Sequence, residues 1–262
     1  MPEGDTVHLA GTRLDRAFRD TVLTKTDFRV PRYATVDLTG RRVEEVVARG
    51  KHLLFRLEGG TTLHTHYRME GSWHLYRHGD RWKGPAHQVR AVLENPEWVA
   101  VGFRLPVLDL LDRAAEDDVV GHLGPDPLGP DWDEKRAAAN LRREPNRSIG
   151  AALLDQRHIA GPGNVYKCEV LFLTGTNPWS RVADTDVDKI VATTKRVMEA
   201  NRSTGSQITT GVARPGQEHW VYGRHRRPCR RCGTPVARAD LEAPGGERVT
   251  YWCPRCQPPA PG

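Results

Sequence analysis

The chain has 262 residues, 38% hydrophobic and 27% charged, with a net charge of +6. That length suits one large domain or two ordinary ones, and the composition describes a soluble globular protein. No apolar run approaches the roughly 18 residues of a membrane span, and no charged-then-apolar leader opens the chain, so neither a membrane nor a secreted protein is expected. The basic balance admits nucleic acid or another polyanion as partner without specifying one.

The chain opens MPEGDTVHLA, with Pro2, Glu3 and Asp5 where chains usually fray. Apolar residues at helical spacing predict a helix over Val7–Phe18. A proline at N1 with acids near the positive dipole end would suit its first turn. The run RRVEEVVARGKHLLFRLEGGTTLHTHYRMEGSWHLYR alternates and is broken by Gly59-Gly60 and Gly71, which predicts a β-meander. A further strand pair is expected across VRAVLENPEWVAVGFRL, turning at Asn95-Pro96. Residues 1–120 therefore read as a β-sandwich or barrel with a flanking helix.

GHLGPDPLGPDWD (121–133) reads as a linker, and Asp133 as the cap of a helix over 134–143. Asn146 or Ser148 can cap a second helix through IGAALLDQ. HIAGPGN is a tight turn, NVYKCEVLFLTG a third helix ending at Gly175, and 184–203 a fourth. This makes 134–220 a helical domain, 221–257 a segment of short strands around paired cysteines, and 258–262 a disordered tail. The whole is an α+β multidomain chain without internal repeats.

Four of the five cysteines fall as Cys229-x2-Cys232 and Cys253-x2-Cys256. In a reducing cytosol, the compartment expected here, such pairs are metal ligands rather than disulfides. Two knuckles joined by a hairpin turning at Ala243–Gly246 present four thiolates to one tetrahedral Zn²⁺. A closed shell leaves no position for water, so the zinc is structural, and the segment is too poor in apolar residues to fold without it. Arg248 follows the turn, among Arg226, Arg227, Arg230 and Arg231. Arginines on a small rigid hairpin suit phosphate contact, the alternative being a solvated basic surface. The glycine-proline-glycine turn before Asn164 also offers exposed amides to an anion, and Asn164 can either cap the helix or reach a phosphate.

Met1 before a small residue favours removal of the methionine. A terminal proline is a secondary amine, and α-amino groups titrate near pH 8. Attack on a sugar C1′ would give an iminium ion of fixed positive charge. That charge acidifies the C2′ hydrogen and permits β-elimination of the 3′ phosphate. Glu3 can exchange a proton at the sugar.

MPEGDT, RGKHLL, HTHYRMEG, LLDQRHIAGPGNVYKCEVLF and CRRCG…RVTYWCPRC together resemble the Fpg/Nei DNA glycosylases, in order and spacing from end to end. The start looks most like the endonuclease VIII (Nei) branch, particularly its actinobacterial members. The resemblance implies that Pro2 is the Schiff-base nucleophile, Glu3 its acid/base partner and Lys51 a second essential cation. It implies that His66 contacts phosphate, where the residues alone leave open a plain strand histidine or a His64/His66 metal pair. Asn164 and Arg248 fit the DNA contacts of the helix–two-turns–helix and the zinc hairpin. Glu169 fits a structural or proton-network role. Met69, with Arg68, fits the loop that fills the gap left by an everted nucleotide, although an ordinary core methionine reads the same.

Two departures bear on substrate. Asp5-Thr6 stands where the family often has a second glutamate. ENPEWVAVGFRLPVLDLLD lacks the arginine–phenylalanine signature of the 8-oxoguanine enzymes, which favours oxidised pyrimidines or abasic sites. The segment TTGVARPGQEHWVYGR is a candidate to cover the flipped base and carries no readable code for it. The implied protein is a monomeric, cytoplasmic, nucleoid-associated glycosylase and AP lyase acting on damaged double-stranded DNA by β- and δ-elimination. The alternatives are a DNA-binding paralogue with little or no turnover, and an enzyme for a bulky adduct or crosslink.

Overall fold

The computed structural model describes residues 2–259; Met1 and residues 260–262, the end of the expected tail, lie outside the described residues. The chain divides into two units, Met1–His122 and Leu123–Gly262.

In the first unit, α1 (Gly4–Phe18) buries Val7, Leu14 and Phe18 along one face. Gly11 lets the helix approach the sheet: a Cβ there would lie 3.1 Å from Leu53 Cδ1 and 3.2 Å from Ala48 Cβ. The strands are β1 (Lys25–Phe28), β2 (Val43–Arg49), β3 (His52–Leu57), β4 (Thr61–His66), β5 (Ser72–Arg77), β6 (Val89–Glu94), β7 (Trp98–Phe103) and β8 (Val107–Asp112). They form two antiparallel four-stranded sheets, ordered β1-β6-β7-β5 and β2-β3-β4-β8. A shared core of Phe18, Leu53, Phe55, Leu63, Trp73, Leu93 and Ala100 joins them as a sandwich. The strands of the run and of the second pair stand where alternation places them, but only β2, β3 and β4 form a meander: β5 crosses to the other sheet and pairs with β7, leaving β4 to pair with β8. The edge strands β1 and β8 escape the sequence reading. β1 is only KTDF, too short and polar to alternate visibly, and Asp109 and Asp112 interrupt β8. A short α2 (Glu116–Val120) is tied to the sheet by Glu116, which accepts from Arg56 at 2.6 Å and from Thr62 at 2.5 Å.

The second unit begins its helices with α3 (Glu134–Arg142), capped by Asp133 Oδ1, which accepts from the Arg136 amide at 2.9 Å. α4 (Ile149–Leu154) follows Ser148, which makes no side-chain cap. The first α4 amides instead donate to backbone carbonyls, Ile149 to Ser180 and Gly150 to Pro178, so neither Asn146 nor Ser148 needs to cap. α5 (Asn164–Thr174) ends at Gly175 in the left-handed conformation, φ 76°. α6 (Val187–Asn201), capped by Asp186, starts three residues later than expected, because 182–184 form a separate short 3-10 turn. Residues 202–236 contain no helix or strand, and β9 (Ala237–Leu241) pairs antiparallel with β10 (Arg248–Trp252).

Candidate functional site

In the first unit the chain end is held by its own helix. Glu3 occupies the N-cap position of α1 through its backbone, with its carboxylate making no cap bond although the residue is only 1% exposed. Pro2 therefore precedes the helix by two residues and is not its N1 position, which Gly4 takes. Asp5 is also fully buried, and Pro2 is half-buried. Two buried carboxylates thus flank one another beside half-buried Pro2, a placement that burial alone disfavours.

Lys51 lies in the two-residue turn between β2 and β3 rather than inside a strand, because Gly50 at φ 58° reverses the chain. The register pairs His52 with His66 across β3 and β4 and puts His64 on the same face. The His52 and His64 rings stack at 5.1 Å with His52 Nδ1 and His64 Nε2 2.8 Å apart, and His66 meets the His52 ring edge-on at 4.7 Å. Burial, reinforced by the Lys51 and His64 charges, pushes His66 down to about 4; burial and the neighbouring histidines push His52 to about 3. His66 Nδ1 accepts the Arg68 amide at 2.9 Å, so the neutral ring carries its proton on Nε2 and presents an N–H donor. That arrangement suits phosphate contact. Among the described residues His52, His64 and His66 are not part of any cluster of three or more ligand atoms at metal-like spacing.

Beyond His66 the chain makes a tight loop, with the Gly71 amide donating to the Tyr67 carbonyl at 2.8 Å. Gly71 is required there, since a Cβ would sit 2.8 Å from Tyr67 backbone atoms. Arg68 is held at φ 45°, and Met69 at the tip is 62% exposed, which removes the reading of Met69 as core. Sequence reading missed Arg104. It has the same uncommon φ of 45°, is exposed, and pairs with Glu70 of this loop at 3.8 Å. A non-glycine residue held in this region costs on the order of 1–3 kcal/mol and persists only where the surrounding structure fixes it.

In the second unit, α4 and α5 are joined by a turn braced from within. Gln156 Nε2 donates to the Leu154 and Pro162 carbonyls, while its Oε1 accepts the Gly161 amide. Asp155 is held well below the usual carboxylate range by Arg157, with Arg147 also bonded to it. Asp155, His158 and Glu144 cluster at metal-like spacing, but these arginines already occupy the carboxylates. Asn164 is the first residue of α5 and does not cap it. Its Nδ2 donates to Val249 O at 2.8 Å, beside Arg248, while its Oδ1 has no hydrogen-bond partner. Arg248 folds back over its turn, donating through one nitrogen to the carbonyls of Gly245, Gly246 and Glu247. Asn164 and the Arg248 strand are thus one bonded assembly.

Glu169 is fully buried in α5 and accepts from the amides of Trp220, Val221 and Tyr222 at 2.7–2.9 Å and from the Thr209 hydroxyl. Its role is to anchor a loop. The sulfurs of Cys229, Cys232, Cys253 and Cys256 cluster, with Cys229–Cys256 at 4.0 Å and Cys232–Cys253 at 3.4 Å. These spacings bracket the roughly 3.8 Å edge of a tetrahedron with Zn–S bonds of about 2.3 Å and are far beyond disulfide length. The Arg231 amide donates to Cys229 Sγ at 3.4 Å, as expected around a thiolate ligand. The four cysteines form a structural zinc site. The expected array of phosphate-facing arginines is smaller than the sequence suggests. Arg230 bonds to backbone carbonyls, and Arg231 lies over the Phe172 ring at 4.4 Å.

Family models agree with this division. Residues 1–104 match the formamidopyrimidine-DNA glycosylase N-terminal domain, 123–211 the formamidopyrimidine-DNA glycosylase H2TH domain, and 227–259 the zinc finger found in FPG and IleRS. The chain is 56% identical to a probable endonuclease 8 2 of Streptomyces coelicolor, covering 100% of this chain and 96% of that protein. It is 47% identical to the DNA-(apurinic or apyrimidinic site) lyase Nei2 of Mycolicibacterium smegmatis, over 98% and 99% of the two chains. Among solved structures, Lactococcus lactis formamidopyrimidine-DNA glycosylase bound to DNA containing an AP site superposes with a TM-score of 0.79 at 23% identity, covering 98% of this chain and 100% of that one. A complex of the same enzyme with DNA containing an oxidised pyrimidine gives 0.79 at 22%, with the same coverage. At that identity the likeness shows the shared fold.

Proposed function

The chain belongs to the Fpg/Nei family of DNA glycosylases, and from that membership we propose that it excises damaged bases from duplex DNA and cleaves the abasic site left behind. The observation that carries the reading is Glu3: a carboxylate only 1% exposed, directly after Pro2 and not spent on capping its helix. A buried acid adjacent to a chain-end amine is the minimal equipment for Schiff-base chemistry at a sugar.

With Met1 removed, the Pro2 nitrogen uses its lone pair to bond C1′, and the glycosidic bond breaks with its electrons leaving on the base, which takes up the proton that the new ammonium sheds. Opening of the sugar transfers a proton from Glu3 and leaves an iminium between Pro2 and C1′. Loss of the C2′ proton then drives out the 3′ phosphate, and a second elimination releases the 5′ phosphate. Water finally hydrolyses the iminium and frees Pro2. Lys51 supplies positive charge beside His66, whose Nε2–H donates to a backbone phosphate without itself being charged. Met69 fills the space of the everted nucleotide, repaying part of the few kcal/mol that unstacking costs. Asn164 and Arg248 hold the duplex by its phosphates.

The substrate we favour is an oxidised pyrimidine or a preformed abasic site. This rests on the absence of the arginine–phenylalanine signature between β7 and β8. The protein acts as a monomer at the chromosome, in the cytoplasm, which is where its substrate is found. Among the described residues no helix is long and apolar enough to cross a membrane.

Borohydride trapping tests the central step. Demethionylated protein with a duplex carrying one abasic site should give a covalent adduct, and Pro2→Gly, which keeps only a primary amine, should give a weaker one. Absence of any adduct with bound DNA would sink the lyase reading in favour of recognition without turnover.

A further inference from the structure

Residues 202–236 are the longest described stretch without helix or strand, and segments of that length inside a compact unit are usually functional. Yet part of this stretch is tightly closed. The amides of Thr209 and Thr210 both donate to Glu218 O, and the Thr210 hydroxyl donates to Gln217 O at 2.6 Å, so 209 and 218 are neck residues of one loop. Its tip, 211–217, is exposed.

Three side chains from outside fix this loop. Glu169 holds the amides after its neck. Arg231 lies over the stacked Phe172 and Trp220 rings, 4.4 Å and 5.9 Å from their centroids. Arg230 reaches furthest toward the tip: Nε donates to His219 O at 3.0 Å and a terminal nitrogen to Gly216 O at 2.7 Å. Both arginines lie between Cys229 and Cys232, inside the first zinc knuckle. A guanidinium forking to two carbonyls fixes direction as well as distance, which a flexible lysine does not. Gly216 and His219, the residues it holds, help to wall a cavity of about 280 Å³ with Glu218, Tyr222, Arg224 and Arg227. His219 Nε2 and Arg224 Nε are buried without a hydrogen-bond partner among the described residues.

We infer that Arg230 is a positioning residue, which transmits the order of the zinc knuckle to the 209–222 loop and so sets how the enzyme reads a damaged base. The inference rests on the glycosylase reading above. A loop that reads the base matters for base excision and is idle when the base is already gone. Arg230 therefore acts on excision and spares cleavage of abasic sites, whereas a general role in DNA binding or folding would lower both.

The test uses full-length zinc-loaded protein and compares Arg230→Ala and Arg230→Lys with the wild type in two measurements. Hydrogen exchange should speed up about tenfold or more at Thr209, Thr210 and Gln217, with α5 and α6 unchanged. Single-turnover excision of an oxidised pyrimidine should fall about tenfold or more, with cleavage of a preformed abasic site in the same duplex within about twofold. Arg230→Lys should recover only part of each effect. Unchanged loop exchange, or equal losses in excision and abasic cleavage with zinc retained, would overturn the inference. If Arg230→Ala fails to hold zinc, Arg230→Lys alone carries the comparison. Should the wild type excise nothing, the functional reading fails by itself, and the exchange data still decide whether Arg230 orders the loop.

Discussion

Glu3 and Arg248 stand near opposite ends of the chain and are held by opposite means. Glu3 is fixed by apolar burial: α1 lays Val7, Leu14 and Phe18 into the sandwich core, and the residues before it follow. Arg248 stands on a hairpin of five-residue strands whose order comes from thiolates and from side-chain-to-backbone bonds. The first kind of order is distributed over many contacts and degrades gradually. The second is concentrated in a few atoms, so single losses should be large and local.

The largest expected effect breaks the second region alone. Cys253→Ser should lose zinc, in sites of this class a term on the order of 10 kcal/mol. Order across 221–257 and affinity for duplex DNA should go with it, while the sandwich keeps its own unfolding transition. Metal analysis, duplex titration and hydrogen exchange would show this; melting of the sandwich as well would erase the contrast.

Next comes Glu3→Gln, which keeps shape and burial and removes the titrating proton. Base excision should fall by about 10²–10⁴-fold with duplex affinity retained. Excision unchanged in single-turnover assays would remove Glu3 from the mechanism.

The smallest effect concerns pH and belongs to the sandwich. His52 and His66 are pushed down to about 3 and 4 from an ordinary value near 6.5. Between those values the unfolded chain binds more protons than the folded one, so stability falls as pH drops below about 6.5 and keeps falling toward 4. Each group contributes a slope of at most about 1.4 kcal/mol per pH unit. His52→Gln should flatten the acid limb of a pH–stability curve measured by denaturant titration.

How much of this was legible in the sequence differs by kind of signal. Period-two alternation marks β2 to β7, and the cysteine spacing marks the zinc site, because both patterns repeat within a few residues. The edge strands β1 and β8 are legible only through their partners β6 and β4, which lie far off in the chain. The same limit hides the histidine stack, since nothing local says that His52 faces His66. Arg104 gives no local signal at all: its φ is set by the β7–β8 connection, not by its side chain. Arg230 and Arg231 mislead for a related reason. Arginine beside a metal knuckle suggests phosphate, whereas here two of them satisfy a loop that has no ladder of its own.

Arg248 in the free protein already donates to three carbonyls of its turn. A long side chain normally surrenders about 2 kcal/mol of rotamer freedom when it first engages a ligand. Here much of that freedom is lost during folding, before DNA arrives. In its proposed role the guanidinium meets a phosphate as part of a rigid template, with Asn164 bonded to the next residue of the same strand. Duplex recognition at this end of the protein then resembles docking of preformed surfaces more than capture by mobile arms.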